Sequence, residues 1–185
     1  MSITTHQTRN EGNMGILTEP MKKALTEQRL IFVATVCPDG TPNLSPKGTV
    51  MVWDDDHVLF TDLASPGTMG NLEHNPAIEI NTLDVFARKG YRFKGVAEIH
   101  RGDAVFDTVV DRMRNGAGTL PGLADSVRAV ALIRVEQALP LVSPGYWGGM
   151  TEADMRRQYE TYWSEVNAEW HSVNSVQTAA AADDS

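Results

Sequence analysis

Three features are scarce in this sequence of 185 residues, and each scarcity excludes a class of protein. Cys37 is the only cysteine, so the chain has no internal disulfide and no metal site built from cysteines. No stretch is long and apolar enough to cross a bilayer as a helix. Basic residues are outnumbered, with 16 Lys and Arg against 24 Asp and Glu, and this balance argues against a nucleic-acid partner.

The rest of the composition is that of an ordinary globular protein, with a chain long enough for one domain with a substantial core. The N-terminus has no basic-then-apolar signal pattern, so we expect a cytoplasmic protein that does not bind membranes. We expect a flexible arm over residues 1–15, one domain over 16–171 and a disordered tail, rich in Ala and Asp, over 172–185.

The periodicity predicts a β-rich chain with peripheral helices. Strand patterns cover residues 29–36, 42–53, 57–63, 77–86, 88–99 and 127–135, and helix patterns cover 17–28, 65–75, 103–115 and 151–170. Consecutive antiparallel strands joined by short turns must avoid open edges, which favours a small barrel. The predicted fold class is therefore α+β, mainly β.

Four cationic side chains fall within residues 88–95 of this acidic chain. Arg92 and Lys94 share one face of the predicted strand, and Tyr91 and Phe93 share the other. Cations on a rigid strand suit a small anion such as phosphate, but lysines and arginines also protect sheet edges from aggregation. This stretch alone leaves both interpretations open.

Two further stretches favour the anion. Lys47 and Thr49 lie with Ser45 on the polar side of the second predicted strand. The helix pattern that begins at Ser65 and includes Thr68 has accessible backbone N–H groups at its N-terminus, where phosphate is commonly bound. We therefore expect these two stretches and the basic strand to converge on one anion.

The stretches VATVCPDGTPNLSPKG, VLFTDLASPGTMGNLEHNPAIEI and RKGYRFKGVAEI follow one another in this order. The series resembles the pyridoxamine-phosphate-oxidase-like family of FMN-binding split barrels, over about residues 25–135. The resemblance implies a six-stranded antiparallel split β-barrel that forms a homodimer, with FMN bound non-covalently at the interface by both subunits.

The resemblance also implies which residues contact FMN. The matching positions are Ser45, Pro46, Lys47, Gly48, Thr49, Phe60, Thr61, Ser65, Thr68, Lys89 and Arg92. Of these, Lys47, Ser65, Thr68 and Arg92 are expected to bind the phosphate. The ring system and ribityl chain are expected to lie against Thr49, Phe60 and Thr61.

The chain departs from the oxidase itself in its motifs. It has Ser-Pro-Lys-Gly-Thr-Val where the oxidase has Arg-x-x-Leu-Leu-Lys, and Ser-Pro-Gly-Thr where the oxidase has Ser-Arg-Lys. The oxidase's C-terminal arginine-rich signature is absent. We therefore expect a small-molecule substrate other than pyridoxamine phosphate, with hydride or electron transfer that involves a donor such as a reduced nicotinamide.

Catalytic residues are not evident from the sequence. The five histidines lack metal or triad spacing, so we expect no metal site, and the flavin is expected to carry the redox chemistry. Tyr146 and Trp147 lie between glycines and are candidates either for a substrate pocket over the flavin or for holding the last helix on the barrel.

Three alternatives remain open at this point. A non-catalytic FMN-binding or redox-sensing protein would hold flavin without turnover. A deazaflavin-dependent reductase would keep the fold and change the cofactor. A haem-handling split barrel would need an axial histidine, and no histidine in the sequence is convincingly placed for that role.

Overall fold

A computed structural model describes residues 15–116 and 121–183 of the chain, and the side chains of the last helix as far as residue 171. The helices are α1 (Glu19–Glu27), α2 (Pro66–His74), α3 (Ala104–Arg114) and α4 (Glu152–Asp183). The strands are β1 (Ile31–Val36), β2 (Pro42–Lys47), β3 (Met51–Val52), β4 (His57–Asp62), β5 (Ala77–Asp84), β6 (Lys89–His100) and β7 (Ala129–Val142). The arm predicted over residues 1–15 lies outside the described residues except for its last position.

The strands form one sheet in the order β2-β1-β5-β6-β7-β4-β3, so its two edge strands are neighbours along the chain. Only residues 48–50 connect them, and Lys47 to Met51 can span at most about 14 Å. In a flat sheet of this size the edges would be about 29 Å apart. The sheet must therefore curl until its edges nearly meet, which confirms the predicted antiparallel split barrel with helices.

The strand count is seven where the sequence predicted six, because the predicted strand over residues 42–53 is interrupted. It forms β2 and β3, with a break after Lys47. Pro46 cannot donate to a ladder and Gly48 adds no side chain to pack, so both weaken the pairing at this point. The break also changes which face each residue takes. Val50 and Val52 pack against the core, whereas Leu44, which an unbroken strand would place on the same side, is exposed.

The chain divides into two compact units. The first contains residues up to Thr82 together with Gly90–Pro140, and the second contains Leu83–Lys89 and the chain from Leu141 onward. The single domain expected over residues 16–171 stays a prediction. Within the described residues, no helix combines the length and apolarity that spanning a membrane requires.

The core of the first unit lies on both sides of β4, because neighbouring residues of a strand face opposite ways. Phe60 is fully buried inside the barrel with Phe93 and Val33. Leu59 points to the outside, where α3 covers it with Val109. Burial of each large apolar side chain stabilises the fold by about 1.5–3 kcal/mol, so α3 is held against the outer face of the barrel.

The second unit is organised by the start of α4. Thr151 and Asp154 form a capping box, because the Thr151 hydroxyl accepts from the Asp154 N–H at 3.2 Å and the Asp154 carboxylate accepts from the Thr151 N–H at 3.1 Å. The helix continues to Asp183, so residues 172–183 have helical backbone where the sequence led us to expect disorder. Alanine, which is frequent there, is the strongest helix former.

Gly95 provides the sharpest test of the barrel packing. A Cβ built at this glycine of β6 would overlap the backbone carbonyl of Arg134 on β7, which cannot move aside without breaking the ladder. We expect Gly95→Ala to lower the free energy of unfolding by about 1–3 kcal/mol. Denaturant titration would measure it. Gly70→Ala on α2 meets no atom within 4 Å and should instead raise stability by about 0.5–1 kcal/mol.

Candidate functional site

Lys47, the last residue of β2, is a cationic side chain that is only 5% exposed. Its ammonium group donates to the hydroxyls of Ser45 at 2.7 Å, Ser65 at 2.8 Å and Thr68 at 3.3 Å. We call these four residues the Lys47 cluster. The β2 break brings Lys47 to the start of α2, so the cluster joins two of the three stretches that the sequence predicted to converge.

The electrostatics of the Lys47 cluster favour a bound anion. Among the described residues, no carboxylate forms an ion pair with Lys47, and its three hydrogen-bond partners are neutral. Burial lowers the pKa of Lys47, and the charge of Asp62 partly offsets this effect. A buried cation without a countercharge is costly, so an arriving anion gains more here than at an exposed lysine.

The start of α2 adds backbone donors to the cluster. Ser65 occupies the position before the helix, but its hydroxyl does not cap it and accepts from Lys47 instead. The Ser65 N–H is held by the Asp62 carboxylate at 2.7 Å, which orients the turn into the helix. Thr68 lies in the first turn and is buried. A cation, hydroxyls and a helix N-terminus together form the arrangement that proteins use for phosphate.

Thr49 and Thr61 continue the polar side of the site from the break to β4. The Thr61 N–H donates to the Thr49 hydroxyl at 3.2 Å, and that hydroxyl donates to the Thr61 carbonyl at 3.1 Å. The Thr61 hydroxyl is buried and has no hydrogen-bond partner among the described residues. Phe60, expected beside the flavin ring, lies in the barrel core with its ring centre 5.7 Å from the Lys47 ammonium.

Arg92 and Lys94 do not join the Lys47 cluster within one chain. Both bind the carboxylate of Glu79 on the neighbouring strand, at 3.3 Å and 3.6 Å. Ile80 points into the barrel, so Glu79 and its partners lie on the outer face. Inside a single protomer β6 therefore does not contribute to the Lys47 cluster, because both cations face the Glu79 carboxylate. A contribution of β6 to a site built by two subunits stays a prediction.

The remaining predicted contacts are spread out. Pro46 is exposed, and Gly48 lies near the Arg29 carbonyl in the connection between the edge strands. Lys89 belongs to the second unit, where its ammonium binds Glu152 at 3.1 Å and lies 4.2 Å from the ring centre of Tyr146.

The two aromatic residues of the predicted substrate pocket behave differently. The Tyr146 hydroxyl donates to the Ala87 carbonyl at 2.6 Å, so this side chain holds the second unit together. Trp147 is 82% exposed. Their role at a substrate pocket stays a prediction.

Sequence reasoning did not point to a second feature of the first unit, a pocket of about 260 Å³ beside β3. Arg29 and Arg112 lie at its rim, and its lining includes Val50, Met51, Val52 and Leu59. Arg112 stacks on Trp53 at 4.3 Å, and neither arginine has an acidic partner among the described residues. The amphipathic pattern of α3 marks Arg112 as outward-facing, but it does not indicate which strand α3 covers.

Comparison with known proteins places these features in a family context. The family model of pyridoxamine 5'-phosphate oxidase matches residues 17–138, which is more than half of the chain. An uncharacterized protein from Methanocaldococcus jannaschii is 33% identical over 87 residues, which are 46% of this chain and 57% of that protein. The chain thus matches little more than half the length of this curated relative.

Two solved structures show the same fold. HupZ from Group A Streptococcus is 33% identical with a TM-score of 0.59, and the match covers 69% of this chain and 95% of HupZ. A protein from Lactobacillus delbrueckii, classed with the pyridoxamine 5'-phosphate oxidases, is 23% identical with a TM-score of 0.57. That match covers 69% of this chain and 96% of the other, and it supports the fold alone.

The Lys47 cluster predicts stabilisation by a simple anion. Inorganic phosphate should raise the melting temperature of the wild type, and Lys47→Gln should remove most of this gain, because the charge-assisted hydrogen bonds are worth about 1.5–3 kcal/mol. Thermal denaturation with phosphate and with chloride at matched ionic strength would measure the difference. Lys23→Gln, at an exposed lysine of α1, is the matched control. An equal response of both variants would contradict the assignment.

Proposed function

Because the chain belongs to the pyridoxamine 5'-phosphate oxidase family, we propose that it is a homodimeric FMN-dependent oxidoreductase that acts on a small organic anion. The family binds flavin, and this supports the cofactor class. The observation that carries the proposal is the buried ammonium of Lys47, hydrogen-bonded to three neutral hydroxyls at the start of a helix.

The residues present fit the phosphate of FMN. Lys47 supplies a positive charge, and Ser65 and Thr68 supply hydroxyls that can turn from accepting to donating. Among the described residues, no carboxylate lies within ion-pair distance of Lys47. A phosphate dianion can therefore bind Lys47 without first breaking an ion pair. The unpartnered hydroxyl of Thr61 is available to a polar group of the cofactor beyond its phosphate. Bound flavin supplies the redox chemistry, and these side chains hold and orient it.

The outer face of the barrel supports the homodimer. Phe32 and Leu44 are 42% and 66% exposed on this face, so two large apolar side chains lie in contact with water there. The same face carries the buried Oδ1 of Asn81, which has no hydrogen-bond partner in the described chain, and the Nε of Arg92, which lies 3.3 Å from the Glu79 carboxylate but forms no hydrogen bond with it. A second copy covering this face removes apolar surface from water and gives Arg92 access to groups of the other protomer, in keeping with a flavin site built from both subunits.

The pocket beside β3 supports an anionic substrate. Its lining combines the apolar side chains of Val50, Met51, Val52 and Leu59 with the exposed arginines Arg29 and Arg112. Val50, which lines this pocket, directly follows Thr49 of the cofactor side. An organic acid with an apolar body matches both parts of the lining, because guanidinium binds carboxylate in a bidentate manner. The chain thereby orients the substrate by its charged end.

The first experiment separates the phosphate contribution from the rest of the cofactor. We expect Lys47→Gln to weaken FMN binding by about 1.5–3 kcal/mol, roughly ten- to hundredfold, and to leave riboflavin binding nearly unchanged. Fluorescence titration of each flavin with wild type and variant would measure both. The difference between the two flavins is the informative quantity, because a general loss of folding would weaken both alike.

Three results would change the proposal. Equal losses for FMN and riboflavin would show that Lys47 does not bind the phosphate. A wild-type protein that binds neither flavin, but binds a deazaflavin, would keep the family and replace the cofactor. A protein that binds FMN yet reduces or oxidises nothing in donor and acceptor screens would be a flavin-binding protein without catalytic activity.

The pocket predicts a second effect, independent of the phosphate. Benzoate, an organic acid with an apolar body, should bind the FMN-loaded protein, and Arg112→Gln should weaken that binding by about 1.5–3 kcal/mol because it removes the charge-assisted bond. Titration followed by flavin absorbance would measure it. Arg114→Gln on the same helix is the matched control, since Arg114 is already paired with Asp125 at 2.8 Å. If both variants bind benzoate like the wild type, Arg112 does not recognise the anion.

A further inference from the structure

Helix α4 presents an apolar seam to solvent. Tyr159, Trp163, Val166 and Trp170 follow one another at spacings of four, three and four residues, which is the spacing of a coiled-coil seam. Trp163 is 43% exposed, Val166 38% and Trp170 60%. An isolated helix gains nothing from such a seam in water, because its apolar residues stabilise the fold only when another surface covers them.

The start of α4 is fixed inside the second unit, and the seam extends beyond the fixed part. Met155 is buried, Arg156 binds Asp84 at 2.7 Å, and Arg88 stacks on Tyr159 at 4.7 Å. Beyond Tyr159 the side chains are exposed as far as they are described. Beside the seam lies an open groove of about 660 Å³, with Val85 and Phe86 on its other wall. The groove widens the apolar surface next to Trp163.

We propose that the seam is the contact surface for α4 of a second copy of this chain, with the two helices antiparallel. The spacing of the seam requires a helical partner, since knobs-into-holes packing needs facing turns. Residues 1–14 of this chain are a poor alternative occupant, because their sequence is polar and has no apolar periodicity.

The side-chain volumes favour the antiparallel direction. Aligned about the midpoint between Trp163 and Val166, the antiparallel pair sets each Trp163 against a Val166, and each Tyr159 against a Trp170. A parallel pair would instead place Trp163 against Trp163 and Val166 against Val166. The tryptophan layer would then be crowded, and the valine layer would be underfilled. Alternating large and small side chains across the contact fills space more evenly.

The charges beside the seam are compatible with the same register. In the antiparallel pair Glu160 faces Asn167 of the other helix, and Tyr162 faces Glu169. Each carboxylate therefore meets a side chain that can donate a hydrogen bond, and no carboxylate faces another across the seam. The antiparallel direction also places the N-terminus of each helix beside the C-terminus of the other, so that the two helix dipoles attract each other. The pairing does not depend on flavin.

Spin-label distances within the full chain test both the contact and its direction. In a Cys37→Ser background, a label is placed at Glu165→Cys or at Gln158→Cys, both on exposed positions of α4 outside the seam. The antiparallel register brings the two 165 labels nearly level, whereas the two 158 labels are offset by about 20 Å along the helix axis. We therefore expect a clearly shorter label-to-label distance at 165 than at 158.

Two further variants test whether the short label-to-label distance at position 165 depends on the apolar seam. In the 165-labelled protein, Val166→Glu should abolish the short distance, and Ala168→Glu, on the opposite face of α4, should leave it unchanged. Equal distances at 158 and 165 would overturn the antiparallel arrangement. A distance at 165 that is absent, or that survives Val166→Glu, would overturn the contact. Repeating the measurement with and without FMN keeps this result separate from the proposed flavin site, whose failure would leave the distances unaltered.

Discussion

Burial of the Lys47 ammonium among neutral hydroxyls is the interaction on which the site depends. Taking a cation out of water costs several kcal/mol, and the hydrogen bonds to Ser45, Ser65 and Thr68 offset part of this cost. These partners come from β2 and α2, so the cluster exists only because the strand breaks after Lys47 and the helix begins beside it. The same break lets the sheet close, so the closure of the barrel and the position of Lys47 depend on the same interruption of the strand.

The features that could be predicted from the sequence are those decided by neighbouring residues. Thr151 and Asp154 form a capping box because both partners lie in one helical turn, and Pro46 with Gly48 interrupts a strand wherever the strand lies. The type of site at the Lys47 cluster could be predicted, because hydroxyls, a lysine and the start of a helix all bind anions. Its membership was only partly predictable: Ser65 and Thr68 joined Lys47, and Arg92 did not.

The features that could not be predicted depend on which surfaces meet. Arg92 was expected at the phosphate, and within one protomer it pairs with Glu79 on the neighbouring strand instead, so its part in the site stays a prediction. The order of strands in the sheet, which brings Glu79 beside it, cannot be inferred from either residue. Arg112 was not anticipated at a pocket, because its placement requires α3 to cover the outer face of β4. The length of α4 was underestimated because the composition of its end suggested disorder, while its alanines favour a helix.

The contrast between Lys47 and Arg92 shows how an acidic protein can still hold a cation that no carboxylate pairs with. Arg92 and Lys94 share the carboxylate of Glu79, so an incoming phosphate must compete with a negative charge that stays in place. Lys47 offers the opposite situation, since its partners are hydroxyls that carry no charge and can reverse their hydrogen bonds. Burial lowers the pKa of Lys47 because the charged ammonium loses contact with water, and a bound dianion would favour the charged form. Net charge therefore says little about the site, because the fold buries Lys47 among hydroxyls and, among the described residues, brings no carboxylate within ion-pair distance of it.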